Sequence, residues 1–112
     1  MVRPEAIQTL CDEIVQAFHP EQVVLFGSYA YGNPDDGSDV DLLVIMPFSG
    51  KAPHHAAAMV AHLRPAFPVD ILVRDPETLR RRLNLGDPFL QEVMARGKVL
   101  YKWPSQRAGI QP

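Results

Sequence analysis

The chain has 112 residues, enough for one domain with one modest hydrophobic core. Hydrophobic residues make up 46% of it and charged residues 21%, proportions that are ordinary for a soluble globular protein. The net charge is −2 and the isoelectric point is about 6.0, which argues against binding to bulk nucleic acid, because such binding needs a basic face.

The cysteine count and the hydropathy pattern are those expected of a cytoplasmic protein. Cys11 is the only cysteine, so no internal disulfide can form and a reducing compartment is expected. The chain contains no run of eighteen apolar residues, so we predict no transmembrane helix and expect no membrane association. The first five residues do not have the pattern of a signal peptide. Cys11 lies on the apolar stripe of a predicted helix, where we expect a core residue and not a nucleophile.

In the first half of the chain, the hydrophobic pattern predicts two helices and two strands. Residues 5–18 carry apolar side chains at helical spacing. Residues 22–26 form a short apolar run typical of a buried strand, and a short helix is expected from Ser28 to about residue 32. A second strand is predicted from about 39 to 46. Its nearly continuous apolar run indicates burial on both faces, as in a mixed sheet covered by helices.

The second half of the chain is predicted to alternate between helices and strands up to a polar end. Its predicted parts are a loop at 47–53, a helix closed by Pro65, a strand at 69–73, helices beginning at Asp75-Pro76 and Asp87-Pro88, Gly97 as the C′ residue of the last helix, and a short strand at 99–101. Residues 104–112 are polar and unpatterned, and we expect a disordered tail there.

The first predicted strand stops abruptly at Gly27 and Ser28. Glycine lets the chain turn sharply and lets a ligand approach the backbone closely. The amide groups at the start of the helix that follows are unpaired and carry partial positive charge. The Gly27-Ser28 junction is therefore suited to bind a phosphate.

Acidic residues stand inside two of the apolar runs. Asp39 and Asp41 are two residues apart, so both point to the same face if that segment is a strand. Adjacent carboxylates repel, and aspartate is uncommon in strands, whereas Mg²⁺ prefers carboxylate ligands. Asp70 lies in a similar setting. With neighbouring strands about 4.8 Å apart, all three carboxylates could converge on a pair of metal ions.

Taken together, these segments resemble the DNA polymerase beta superfamily of nucleotidyltransferases, and more narrowly the minimal nucleotidyltransferases (MNT) that are the antitoxins of HEPN/MNT toxin–antitoxin pairs. The resemblance rests on GSYAYG at 27–32, SDVDL at 38–42 and Asp70, in that order, and extends from about residue 4 to residue 102. It implies a nucleotidyltransferase fold over residues 1–103, an α/β (α+β) mixed sheet of about four strands flanked by helices. Many relatives carry Arg where this chain has Tyr31, a departure that concerns a phosphate contact and leaves the metal site unaffected.

The resemblance also implies a reaction and a partner. The protein would transfer AMP from ATP to a hydroxyl group, with a tyrosine of a HEPN ribonuclease toxin as the expected acceptor. Asp39 and Asp41 would bind two Mg²⁺ ions, and Asp70 would bind the catalytic ion and help to deprotonate the acceptor. Gly27 and Ser28 would hold the β- and γ-phosphates. Because so short a chain has no room for a separate acceptor domain, a complex with the toxin or a homo-oligomer is expected to supply the acceptor surface.

Two functions of other classes stay open at this point. A binding-only antitoxin would neutralise the toxin by covering it, although such a protein need not keep the Gly-Ser junction and the three acids. A nucleotidyltransferase for a small molecule, such as an aminoglycoside antibiotic, usually needs a second domain or a dimeric cleft lined with acids.

Overall fold

One mixed sheet forms the centre of the computed structural model, which describes residues 1–104. Its strands are β1 (Gln22–Phe26), β2 (Val40–Ile45), β3 (Val69–Arg74) and β4 (Lys98–Lys102). Their spatial order is β3-β2-β1-β4, in which β2 and β3 run parallel and β1 is antiparallel to both of its neighbours. The predicted mixed sheet of four strands is confirmed.

Within residues 1–104, five helices connect these strands and cover the sheet. They are α1 (Pro4–Phe18), α2 (Ser28–Tyr31), α3 (Ala52–Leu63), α4 (Pro76–Asn84) and α5 (Pro88–Arg96). The hydrophobic residues of α1 and α3 pack on one face of the sheet, and those of α4 and α5 pack on the other. The α/β architecture with flanking helices is therefore confirmed.

The sheet separates two clusters of buried side chains. The first cluster joins it to α1 and α3 and includes Ile14 and Met59, both fully buried. The second cluster joins it to α4 and α5 and includes Leu90. Because alternate residues of a strand point to opposite faces, β2 places Leu42 in the first cluster and Leu43 in the second. β2 is thus buried on both faces, as its continuous apolar run predicts.

The two predicted Asp-Pro helix starts are confirmed by capping hydrogen bonds. The Asp75 carboxylate accepts a hydrogen bond from the amide of Thr78 at 2.8 Å, and the Asp87 carboxylate accepts one from the amide of Leu90 at 3.0 Å. Hydrogen bonding from Thr78 lowers the pKa of Asp75, and the Leu90 amide lowers the pKa of Asp87. Proline occupies the first helical turn in both cases, where its missing N–H group costs nothing.

Several boundaries differ from the predicted ones by one or two residues, and two of these differences involve an acidic residue or a proline. β2 begins at Val40, so Asp39 precedes the strand instead of opening it. The helix α3 begins at Ala52, so Pro53 lies in its first turn and not in the predicted loop. The first turn of a helix tolerates proline because the amide groups there have no intrahelical partner.

Gly97 ends α5 for a reason of space. Its φ of −66° and ψ of 162° are ordinary for any residue and are not the left-handed conformation typical of a C′ glycine. A Cβ atom at this position would overlap the carbonyl oxygen of Val93 and would lie 2.6 Å from Val24 Cγ1 and 3.0 Å from the carbonyl oxygen of Leu25. The end of α5 therefore lies directly on β1, and only glycine leaves room for that contact.

Apart from Pro104, the predicted tail at 104–112 lies outside the described residues. Its disorder, and the domain boundary at residue 103, stay predictions. Within residues 1–104, no helix is both long enough and apolar enough to cross a bilayer.

Candidate active site

Two of the predicted site residues lie side by side on the parallel strand pair. Asp41 in β2 and Asp70 in β3 are register partners, so their side chains point to the same face from strands about 4.8 Å apart. That face is the one covered by α4 and α5. Leu43, two residues after Asp41, lies in the second cluster, and Leu72, two residues after Asp70, packs against it. The register thus brings together two carboxylates from separate parts of the sequence.

Asp39 lies at the same end of the sheet, one residue before β2. The amide of Val40 donates a hydrogen bond to the carbonyl oxygen of Pro68 at 3.1 Å, which holds the N-terminal ends of β2 and β3 together. Burial raises the pKa of Asp41, and the negative charges of Asp70 and Asp39 raise it further. Asp41 is therefore close enough to both neighbouring carboxylates for their charges to act on it.

Gly27 adjoins this acidic group from the end of β1. Its φ is +74°, a conformation that residues with a Cβ atom rarely adopt. A Cβ atom there would overlap Asp41 Oδ2 and would lie 3.1 Å from Asp41 Cγ. Glycine is therefore required at this position both by the backbone conformation and by the closeness of Asp41.

The carbonyl oxygen of Gly27 accepts hydrogen bonds from the amides of Ala30 and Tyr31, both at 3.0 Å. The amides before them, on Ser28 and Tyr29, have no partner within the short helix α2. The predicted Gly27-Ser28 junction thus presents free amide groups at the end of β1, next to the acidic residues.

Other acidic residues of the connecting segment belong to a turn. The Asp35 carboxylate accepts hydrogen bonds from the Gly37 amide at 2.9 Å and from the Ser38 hydroxyl at 3.3 Å. Asp36 is almost fully exposed and lies 3.7 Å from the amino terminus of Met1. The interpretation of Asp35 and Asp36 as turn residues is confirmed.

An aromatic pair, missed by the sequence analysis, borders the acidic residues. Phe26 is the register partner of Asp41 and therefore lies on the same face of the sheet. Its ring meets the ring of Phe89 edge to face, with centroids 5.7 Å apart, and 49% of Phe89 is exposed. Asp41 thus has acidic neighbours on one side and an apolar neighbour on the other.

A second missed contact involves the tyrosines of the GSYAYG motif. The Tyr29 hydroxyl accepts a hydrogen bond from the amide of Val2 at 3.0 Å. The guanidinium group of Arg96, at the end of α5, lies over the Tyr31 ring, 4.2 Å from its centroid. No sequence pattern points to this contact, because a basic residue in the last turn of a helix is common.

Cys11 takes no part in this site. Its side chain is fully buried in the first cluster, and burial raises the pKa of its thiol to about 12. The prediction of a core residue is confirmed.

The acidic residues have the chemistry of a magnesium site without forming a closed one. Within residues 1–104, no three histidine, cysteine, aspartate or glutamate side chains are gathered closely enough to make a ready-formed metal site. The carboxylates of Asp39, Asp41 and Asp70 are nevertheless hard oxygen ligands. Burial and then the charges of Asp70 and Asp39 raise the pKa of Asp41, and a divalent cation would relieve the repulsion among these charges. This donor set fits Mg²⁺, and the assignment of individual ligands stays a prediction.

Comparison with solved structures shows the same fold in a candidate nucleotidyltransferase and in two toxin–antitoxin structures. A candidate nucleotidyltransferase from Sulfolobus solfataricus superposes with a TM-score of 0.63 and 22% identity, over 89% of this chain and 80% of that one. A toxin–antitoxin structure with AMP-PNP gives a TM-score of 0.56 and 22% identity, over 85% and 73% of the two chains. A mutant of the toxin–antitoxin MntA-HpeT gives a TM-score of 0.51 and 19% identity, over 90% and 74%.

Sequence comparison points in the same direction. Among curated proteins, none matches this chain. The family model described as a nucleotidyltransferase domain matches residues 7–96, a span that includes the Gly27-Ser28 junction and all three predicted acidic residues. Since that match covers most of the chain, this protein belongs to the nucleotidyltransferase domain family.

Proposed function

We propose that this nucleotidyltransferase is an antitoxin that transfers AMP from ATP to a hydroxyl group of a partner HEPN ribonuclease toxin, with a tyrosine as the expected acceptor. The observation that carries the proposal is the placement of Asp41 beside Asp70 in the strand register, with Gly27 against Asp41. Family membership supports nucleotidyl transfer. The fold shared with two toxin–antitoxin structures, one of them with the ATP analogue AMP-PNP, supports a toxin partner and a nucleotide substrate.

The proposed metal ligands are Asp39, Asp41 and Asp70. Asp39 and Asp41 would hold two Mg²⁺ ions, and Asp70 would hold one of them. Bound magnesium would neutralise phosphate charge and lower the pKa of the acceptor hydroxyl. Because a helix terminus at the surface contributes only about 0.3–1 kcal/mol, the amides of α2 could not hold a triphosphate by themselves.

The other proposed roles agree with where each residue lies. In the proposed reaction the acceptor oxygen forms a bond to the α-phosphorus, the bond from the α-phosphorus to the bridging oxygen of pyrophosphate breaks, and pyrophosphate leaves. Asp70, exposed on the edge strand β3, would accept the proton of the acceptor hydroxyl. Gly27 and Ser28 would hold the β- and γ-phosphates through amide groups and the serine hydroxyl. Reactions of this kind depend mainly on positioning and charge neutralisation.

The test is the intact mass of the protein encoded beside this gene after incubation with this protein, Mg²⁺ and ATP. We expect a mass increase of one or more AMP units in the wild-type reaction and none with Asp39→Asn. The matched control is Asp36→Asn, which removes one carboxylate from the neighbouring turn and should leave transfer intact.

The same samples separate the proposed function from its alternatives. An unmodified partner that still forms a tight complex would contradict AMP transfer and favour the binding-only antitoxin. In that case the Asp39→Asn and Asp41→Asn variants should still neutralise the toxin in cells. Modification of an aminoglycoside, with the partner protein unmodified, would favour the small-molecule enzyme.

A further inference from the structure

Two elements distant in sequence meet where Arg96 contacts Tyr31. The Arg96 guanidinium, in the last turn of α5, lies 4.2 Å from the centroid of the Tyr31 ring in α2. A cation at this distance is attracted by the negative face of the ring. We call these two residues the cationic corner.

The cationic corner is anchored next to the Gly27-Ser28 junction from both sides. The Tyr31 amide donates to the carbonyl oxygen of Gly27 at 3.0 Å, so the ring lies one turn beyond the junction. The residue after Arg96, Gly97, lies against the carbonyl oxygen of Leu25, two residues before Gly27. Arg96 therefore lies where α5 meets the end of β1, and its guanidinium reaches the Tyr31 ring in α2, the helix that begins at the Gly27-Ser28 junction.

The negative charge of the three aspartates near the junction creates the need for such a cation. Asp39, Asp41 and Asp70 form what we call the acidic side. A nucleoside triphosphate adds further negative charge, and two magnesium ions leave the whole assembly negative. Phosphate oxygens that point away from the acidic side therefore require another positive group, and an arginine can donate two parallel hydrogen bonds to a phosphate.

We propose that Arg96, held on the ring of Tyr31, binds the phosphates that leave as pyrophosphate. The inference rests on the proposed nucleotidyl transfer and names a binding residue for that reaction. The Tyr31 ring fixes the position of the guanidinium without using its N–H donors in hydrogen bonds. Tyr31 is thus a positioning residue for Arg96.

Two other contacts of Arg96 offer a purely structural role to be tested against this one. Its guanidinium is 3.8 Å from the Glu92 carboxylate, but both side chains are more than half exposed, and such surface pairs contribute little. As a cation in the last turn, Arg96 also complements the dipole of α5. A structural role alone predicts lower stability on mutation with unchanged nucleotide affinity.

The experiment is calorimetric titration of the full chain with ATP plus Mg²⁺, and separately with adenosine. Arg96→Gln should weaken ATP binding roughly tenfold, the effect expected for a charge-assisted hydrogen bond. Adenosine has no phosphate, so its affinity should not change. Arg96→Lys should give an intermediate affinity, because lysine keeps the charge and loses the planar fork.

The matched control is Arg80→Gln, which removes the same charge from α4. Arg80 lines a cavity of about 270 Å³ with Gln22 and Lys102, at the end of the sheet opposite the Gly27-Ser28 junction. We expect its ATP affinity to equal that of the wild type. Thermal unfolding of each variant verifies that it is folded.

Three further variants distinguish phosphate binding from a structural role. Tyr31→Leu should weaken ATP binding by a smaller factor than Arg96→Gln, whereas Tyr31→Phe keeps the ring and should have no effect. Glu92→Gln should strengthen ATP binding about twofold, because it frees Arg96 and removes a repelling charge. Weaker ATP binding in Glu92→Gln would contradict the inference.

The outcomes separate this inference from the function on which it rests. If wild-type protein and Arg96→Gln bind ATP equally well, Arg96 is not a phosphate ligand, and the proposed transfer stands. If the wild-type protein binds no ATP, both are overturned. If Arg96→Gln loses affinity for ATP and adenosine in parallel, the effect is structural and the inference fails.

Discussion

The acidic side and the cationic corner flank the same junction, Gly27-Ser28, and are built in different ways. The acidic side comes from strand register, because Asp41 and Asp70 are partners in a parallel pair and Asp39 lies just before it. The cationic corner comes from the packing of helix ends, since α5 brings Arg96 onto the ring of Tyr31 in α2.

This difference has a physical consequence. Strand register is maintained by backbone hydrogen bonds and by a core buried on both faces, so the acidic side keeps its place even though its charges repel. The cationic corner is held by one cation–π contact, one weak ion pair and the close contact of Gly97 with β1. We therefore expect mutations on the acidic side to abolish chemistry, and mutations near the corner to change affinity or stability.

The largest effect is expected from Asp41→Asn. Loss of this carboxylate should reduce the rate of AMP transfer by at least ~100-fold, the order of magnitude found when one electrostatic group is removed from a catalytic site. The measurement is AMP incorporation into the partner with Mg²⁺ and ATP. Wild-type turnover in this variant would remove Asp41 from the proposed mechanism.

The same substitution should stabilise the protein when no divalent cation is present. The pKa of Asp41 is raised in the folded state, so its ionised form opposes folding at neutral pH, and this cost disappears as the pH falls below the ordinary value of 3.8. With a chelator present, Asp41→Asn should therefore melt above the wild type at pH 7. The difference should vanish towards about pH 3. A melting temperature below that of the wild type at pH 7 would contradict the view that the ionised Asp41 carboxylate, buried and repelled by its neighbours, opposes folding.

The second largest effect is expected from Gly27→Ala, at the junction between the two groups. The combination of φ +74° and ψ −161° is almost confined to glycine and alone should cost about 1–3 kcal/mol of stability. The new Cβ atom must also displace the Asp41 carboxylate. Gly32→Ala is the matched control, because Gly32 also has a positive φ, of 90°, but has open space around its Cα. Both variants should lose stability in chemical denaturation, and only Gly27→Ala should lose AMP transfer. Equal activities would show that the contact with Asp41 does not matter.

A third prediction concerns the support of the cationic corner. Gly97→Ala should lower the free energy of unfolding by about 1–3 kcal/mol, because the methyl group has no space between α5 and β1. ATP affinity should fall by less than in Arg96→Gln, since Arg96 is shifted and not removed. Gly37→Ala is the control, because the nearest atom to its Cβ would be 3.5 Å away. Denaturation by urea measures the first effect, and a stability equal to the wild type would refute the packing argument.

The smallest effect is expected at the other end of α5. Asp87→Asn keeps a capping oxygen but loses the negative charge and its contact with Arg82 at 3.0 Å. The pKa of Asp87 is lowered in the folded state, so its charge stabilises the protein above the ordinary pKa, and that stabilisation is lost as the pH falls through the lowered value. Asp87→Asn should thus melt slightly below the wild type at pH 7, and the two should converge in acid. A difference in melting temperature that persists in acid would indicate a cause other than the charge of Asp87.

Much of the fold could be predicted because its signals are local. The apolar runs of β1 and β2, the helical spacing of α1 and the Asp-Pro starts of α4 and α5 each depend on residues a few positions apart. Boundaries are harder to predict for the same reason. Pro53 is compatible with a loop and with the first turn of a helix, and only the packing of α3 decides between them.

In the candidate site, too, some features can be predicted from the sequence and others depend on tertiary packing. By itself the sequence determined that Gly27 and Ser28 follow an apolar strand and that the three aspartates stand near the starts of two others, because strand alternation and turn chemistry are properties of neighbouring residues. Only the tertiary structure decided that Asp41 is opposite Asp70, that Gly27 touches Asp41, and that Arg96 lies on Tyr31. These contacts depend on how strands pair and helices pack, which is decided by the burial of the whole core and not by any short stretch of sequence.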